Sequence, residues 1–298
     1  MSRVAPAILV AGLALASCDA SGRDATRVEA TGGELAAAAP ERGDDPPAAP
    51  EPLAPAFPPP SKILFVGDSV ADTLDEPLAA VAAAHGVPFA ASVVAGCGNT
   101  GGVPADDAGT PFPHAPVCEQ GIPETQQRVV AQEQPDLVVW LSVWEISNRI
   151  VIGQVEKVGS IEANQLLWAD IDAAVVRLTA GGARLVFVAP APPAAESGEP
   201  YDPAQAAALQ RLAVLLREYA RAHADTVTVV ELGEIVCPSG PPCPADVAGF
   251  RPRATDGNHF EGAGARWVAE QLFPKFLGAA PMTDAPEATA NAGVAPAG

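Results

Sequence analysis

The sequence predicts an α/β fold, a three-layer α/β/α sandwich built on a flavodoxin-like parallel sheet of about five strands. Short continuous apolar runs such as Ile63-Leu-Phe-Val66 and Leu137-Val-Val-Trp-Leu141 suit strands covered on both faces. Between successive runs lie segments of helical length, and a strand that alternates with a helix in this way rejoins the sheet by a crossover, parallel to its neighbour. The first run ends in the sharp turn Gly67-Asp68-Ser69, at the edge where open α/β sheets place their ligands.

Taken in order, Val70 to His85 reads as a helix stopped by Gly86, and Phe89 to Val94 as the second strand. Gly96-Cys-Gly-Asn-Thr-Gly101 then matches a G-x-G-x-x-G pattern. It follows the second strand rather than the first, and runs on from Gly102 as an irregular loop instead of opening a helix. It is therefore not a dinucleotide site, and no cofactor is expected. Pro123 to Gln134 reads as a helix, Asp136 to Ser142 as the third strand, and Ser160 to Ala180 as a long helix closed by Gly181-Gly182. Arg184 to Ala189 is the fourth strand, Asp202 to His223 a helix, Val227 to Leu232 the fifth strand, and Glu261 to about Leu277 the last helix.

Of the 298 residues, both ends are rich in Ala, Pro, Gly and acidic side chains. The expected organisation is a leader over residues 1–17, a disordered tether over 18–60, one folded domain over 61–278 and a disordered tail over 279–298. The formal net charge of −19 repels a phosphate backbone, which excludes a nucleic-acid partner. Arg3 followed by the apolar run Ala5 to Ala16 has the form of a signal peptide, too short to span a bilayer comfortably. Leu15-Ala16-Ser17-Cys18 resembles the lipobox of bacterial lipoproteins, which implies lipid modification of Cys18 and a membrane-anchored protein facing the periplasm or cell exterior; an ordinary cleaved signal peptide is the alternative.

Apart from Cys18, four cysteines remain, an even number that suits an oxidising compartment. Three pairings are open. The tight loop Cys237-Pro-Ser-Gly-Pro-Pro-Cys243 favours one bridge, and Cys97 with Cys118 would staple the long loop after the second strand. Metal binding is not expected, because neither C-x-x-C nor H-E-x-x-H occurs.

Two short segments carry the chemistry. Ser69 stands at the start of a helix, where backbone amides favour developing negative charge, although a serine there also serves as a simple N-cap. Far along the chain, Asp256 and His259 stand three residues apart, a spacing at which a carboxylate can hold an imidazole tautomer while the other ring nitrogen faces a serine. A serine hydroxyl needs such a base to become a nucleophile. Asp68, Asp72 and Asp75 read as a solvated helix start that suits the dipole.

Gly67-Asp68-Ser69, the glycine loop after the second strand, the third-strand block and Asp256-Gly-Asn-His259 together resemble the SGNH (GDSL) hydrolase superfamily. The resemblance implies the SGNH hydrolase fold, with Ser69 as nucleophile, His259 as base and Asp256 as its orienter. It further implies an oxyanion hole made by the amide of Ser69, a glycine amide from Gly98 or else Gly96, and a third-block asparagine. This chain reads Ser142-Val-Trp-Glu145 there, so Trp144 stands in place of asparagine; its indole N–H can donate, and Ser142, Asn148 and Arg149 are other candidate donors. Trp144-Glu145 with Arg149 nearby is more similar to SGNH domains associated with bacterial envelope acyltransferases than to secreted lipases.

The expected function is thus an exported serine esterase, an O-acyl (acetyl) hydrolase or transferase working through an acyl-Ser69 intermediate. Its substrate would be an acylated cell-envelope carbohydrate or another small ester. The alternative is a catalytically inactive envelope lipoprotein of the same fold that binds glycan.

Overall fold

The computed structural model describes residues 59–195 and 202–278. The readings made for 1–17, for Cys18, for the tether up to residue 58 and for the 279–298 tail lie outside the described residues.

Eight strands are present among them: β1 (Ile63–Gly67), β2 (Phe89–Val93), β3 (Val103–Ala105), β4 (Leu137–Leu141), β5 (Asn148–Val151), β6 (Gln154–Glu156), β7 (Arg184–Ala189) and β8 (Val227–Glu231). The helices are α1 (Ser69–Ala84), α2 (Ile122–Glu133), α3 (Ile161–Leu178), α4 (Pro203–Ala222), α5 (Leu232–Val236) and α6 (Gly262–Gly278). The main sheet has five strands in the order β2-β1-β4-β7-β8, every pair parallel, as the run of apolar segments predicts.

Strand alternation divides the core in two. Ile63 and Phe65 of β1, with Leu137, Val139 and Leu141 of β4, point to the layer formed by α1, α5 and α6. Leu64 and Val66, with Val138 and Trp140, point to the opposite layer of α2, α3 and α4. Burial on both sides is why these strands carry no polar residue within their runs. Ser160 and Asp202, expected at helix starts, cap α3 and α4 by accepting from the amides of Ala163 and Ala204.

Three departures from the expectations are local. The segment after Gly102 is not wholly irregular: β3 pairs antiparallel with β5, and β5 with β6, in a small second sheet. A short π-helical turn, Val117–Gly121, leads into α2. The fifth strand stops at Glu231, and Leu232 already begins α5.

Both expected disulfides are formed, Cys97–Cys118 and Cys237–Cys243. The first closes the β2–α2 loop. The second holds a loop on which the chain at Ala194–Ala195 rests: Ala194 bridges Cys243, and the Ala195 amide donates to the Cys243 carbonyl at 2.8 Å.

Candidate active site

Counting only main-sheet strands, the sheet order reverses between β1 and β4, and a cleft opens at the carboxyl ends of these two strands. Gly67, the last residue of β1, pairs with Leu141, the last of β4. A Cβ on Gly67 would collide with the Leu141 carbonyl oxygen and with the Ala71 side chain, so glycine is what lets α1 start this close to β4.

Asp68 follows as the N-cap of α1, accepting from the Val70 amide at 2.9 Å. The capping role therefore falls to Asp68, and the Ser69 hydroxyl is left free for another partner. Asp68 is not solvated as expected: it is 0 % exposed, and its Oδ2 accepts from Ser142 Oγ (3.0 Å) and from the amides of Val143 (2.6 Å) and Trp144 (3.0 Å). These bonds tie the end of β1 to the end of β4. Asp72 remains exposed, at the helix surface.

The Asp256–His259 segment is shaped by its own backbone. Arg253 bridges Phe260, the Ala254 amide donates to the His259 carbonyl at 2.8 Å, and Gly257 takes a positive φ of 75° to close the loop. Thr73 Oγ1 of α1 accepts from the Phe260 amide at 3.1 Å, which docks this loop against the helix that carries Ser69.

The result is a contiguous trio. Ser69 Oγ lies 2.8 Å from His259 Nε2, and His259 Nδ1 is hydrogen-bonded to Asp256 Oδ2. Asp256 Oδ1 accepts from the amides of Asn258 (2.9 Å) and His259 (3.0 Å). Partial burial pushes the Asp256 acid upward, but the imidazole and the two amides outweigh it and hold the carboxyl below its ordinary value. A base, its orienter and a hydroxyl in this order can move the serine proton to the imidazole.

The cleft measures about 520 Å³ and is lined by Ser69, His259 and Asp256 together with Phe112, Trp144, Ile146 and Pro193, and by polar Asp202, Gln205 and Asn258. Trp144 contacts Phe112 and His114 edge-on, with centroids 5.5 and 5.2 Å away. Gly98 is buried and does not line the cleft; a Cβ there would come 2.8 Å from Glu145 Oε1 and 3.3 Å from the Glu145 amide. The other candidate donors are engaged elsewhere. Ser142 Oγ lies between two carboxyls, Asn148 Nδ2 donates to Asp107 Oδ1 (3.0 Å), and Arg149 pairs with Asp170 at 2.8 Å and bonds Thr100.

Two buried supporting roles escape the sequence reading. Arg253, 3 % exposed, donates from Nη1 to the carbonyls of Pro192 and of Gly257 (3.1 Å), clamping the His259 loop to the chain at Pro193 that forms the facing wall. Burial lowers its pKa to about 10, with Asp256 acting in the opposite sense, so it remains a cation at neutral pH. Glu145 is 2 % exposed beneath the Trp144 turn. Neither has a local signal; a charged residue reads as surface until its partners, distant in sequence, are known.

A family model described as "SGNH domain (fused to AT3 domains)" matches residues 39–274. No curated protein matches the chain in sequence. The fold is similar to the periplasmic domain of a lipopolysaccharide acetyltransferase of Salmonella ser. Paratyphi A, at 12% identity and a TM-score of 0.48 over 74% of this chain and 85% of that one. It is similar also to an acetyl xylan esterase (13% identity, TM-score 0.48, 72% and 98% covered). A GDSL-like lipase from Bacteroides thetaiotaomicron gives 13% identity and a TM-score of 0.45, with 72% and 88% covered.

Proposed function

Since the chain belongs to the SGNH domain family and is an SGNH-type esterase or acyltransferase, we propose that it works through an acyl-Ser69 intermediate, with His259 as base and Asp256 as its orienter. The observation that carries this reading is the 2.8 Å contact between Ser69 Oγ and His259 Nε2, made across 190 residues of sequence. As Oγ attacks the ester carbonyl, its proton passes to Nε2, and the Asp256 carboxylate stabilises the imidazolium from the Nδ1 side. Collapse of the tetrahedral intermediate expels the alcohol, which takes the proton from His259. Water or a second hydroxyl then gives a proton to His259 and attacks the acyl-Ser69 carbonyl; the second tetrahedral intermediate expels Ser69 Oγ, which takes that proton back, and the cycle ends as hydrolysis or as transfer.

The negative charge that develops on the carbonyl oxygen needs donors already in place. Ser69 is the first residue of α1, so its amide precedes the intrahelical ladder and faces the positive end of the dipole. We assign the second donor to the Trp144 indole N–H, whereas Gly98, which does not line the cleft, supports the turn beneath it. Gly98 packs on the Trp144–Glu145 turn, and Trp144 shares the cleft with Ser69. Trp144→Phe keeps an aromatic ring against Phe112 and His114 but removes the N–H. It is expected to lower kcat by roughly 10²-fold with little change in stability. Unchanged turnover in this variant would assign Trp144 to packing alone.

An acylated carbohydrate is the substrate we infer. In its support, Phe112, Trp144 and Pro193 offer flat apolar faces beside the polar Asp202, Gln205 and Asn258, a mixture that suits a ring with hydroxyls at its rim. Export is supported by the two disulfides, which persist in oxidising compartments. No described helix is long and apolar enough to cross a membrane.

The test is turnover of p-nitrophenyl acetate by the full chain, followed by product analysis with a soluble sugar added. Release of acetate alone indicates a hydrolase, acetylated sugar a transferase. Absence of turnover would overturn the acyl-Ser69 reading.

A further inference from the structure

Beneath the Trp144 turn lies a pair of acidic groups that the acyl-transfer steps do not use. Ser142 Oγ sits between them, 3.0 Å from Asp68 Oδ2 and 2.6 Å from Glu145 Oε2. A hydroxyl has a single hydrogen to give. Facing two ionised carboxylates, it would satisfy one and set its lone pairs against the other, so one of the two carboxyls must bring a proton of its own.

Asp68 is poorly placed to be that donor. Its Oδ1 accepts from the Val70 amide and its Oδ2 from the amides of Val143 and Trp144, three bonds that all favour the anion. Glu145 has the opposite surroundings. Its Oε2 meets only the Ser142 hydroxyl, its Oε1 has no partner among the described residues, and the side chain is buried. A carboxylate there would leave a charged oxygen dry and unpaired, whereas an acid leaves only a carbonyl oxygen.

We propose that Glu145 is a neutral carboxylic acid that donates to Ser142, which donates in turn to the Asp68 carboxylate, and that this chain sets the Val143–Trp144 backbone beside Ser69. Each link then has one proton and one acceptor. The charges that face Glu145 are consistent with this. Burial pushes its acid up and the Asp68 charge pushes the same way. The Ser142 hydroxyl, Arg149 of β5 and Glu145's own amide pull the other way, but Arg149 is already paired with Asp170 of α3, and Glu156 of β6, another acid, lines the same small cavity. Burial raises the Asp68 acid too, against the pull of its amides and of the Ser142 hydroxyl.

Glu145 lines neither Ser69 nor the cleft, so its role is one of positioning. Two measurements test it, and only the second rests on the acyl-transfer reading. In the infrared spectrum of the full chain at neutral pH, the wild type should show the carbonyl band of a protonated carboxylic acid, and Glu145→Gln should lose it. In kinetics, Glu145→Gln offers an N–H to Ser142 in place of the O–H and should retain most of kcat. Glu145→Ala frees the Trp144 turn and should lose roughly 10²-fold, the scale of an ångström-sized misplacement. A spectrum with no such band lost, or a Gln variant as impaired as the Ala variant, would overturn the proposal. If the wild type itself turned over no ester, the acyl-transfer reading would fail while the infrared comparison still decided this one. If the Ala variant did not fold, the Gln variant alone would carry both readouts.

Discussion

Ser69→Ala is expected to abolish covalent labelling by a fluorophosphonate probe and to lower ester turnover by about 10⁴-fold or more, with residual activity from the oxyanion donors and binding alone. The expectation follows from a division of labour at the end of β1. Asp68 caps α1, so the Ser69 hydroxyl holds no backbone donor and makes its contact with His259 Nε2. Removing one oxygen atom from a residue that is not the cap should cost about 1 kcal/mol of stability or less. Comparing the unfolding of the two proteins with their labelling separates the alternatives. A variant that lost activity together with several kcal/mol would mark Ser69 as structural, and one that still labelled at the wild-type rate would remove it from the nucleophile's role.

The parts of this molecule that could be read from its sequence are those whose cause is local. Ile63 to Val66 and Leu137 to Leu141 are apolar at every position because both faces of each strand are covered, and that continuity is visible without coordinates. Ser160 and Asp202 announce the starts of α3 and α4 by chemistry completed within three residues. The small sheet was not legible. β3 and β6 are three residues long, β3 contains Pro104, and the pairing of β3 with β5 joins segments more than forty residues apart, so no periodicity has room to develop.

The candidate site was legible in the three side chains it brings together and opaque in their supports. Gly67-Asp68-Ser69 and Asp256-Gly-Asn-His259 each place a chemical group at a turn, and the topology alone brings the β1 end to the sheet edge where ligands sit. Asp68, by contrast, reads as one more acid at a solvated helix start. Its burial becomes apparent only when β4 lies beside β1 and supplies the Ser142 hydroxyl and two amides. Arg253 is hidden in the same way, since its acceptors are carbonyls at Pro192 and Gly257 that no sequence pattern marks. Buried polar groups are explained by partners, and here most of the partners are distant.

Asp256→Asn should be nearly as damaging as loss of the nucleophile, for a reason that lies in the amides around it. Asp256 Oδ1 accepts from the backbone N–H groups of Asn258 and His259, so in the variant the side-chain oxygen is kept at that position and the NH₂ turns toward His259 Nδ1. A donor opposite Nδ1 forces the tautomer in which Nε2 carries the hydrogen, and an Nε2–H cannot take the Ser69 proton. A fall in kcat of about 10⁴-fold is expected, the scale known for this substitution in a serine protease triad, with KM little changed. The same carboxylate gives a signature in stability. Its pKa is depressed in the folded chain, so its contribution is fully present above the ordinary aspartate value of about 3.9 and is lost as the pH falls through the lower folded value. The difference in unfolding free energy between wild type and Asp256→Asn should therefore be constant near neutrality and shrink in that acid window. A difference that stayed constant down to the lowest pH at which both proteins fold would show that Asp256 is not held as the anion that His259 requires.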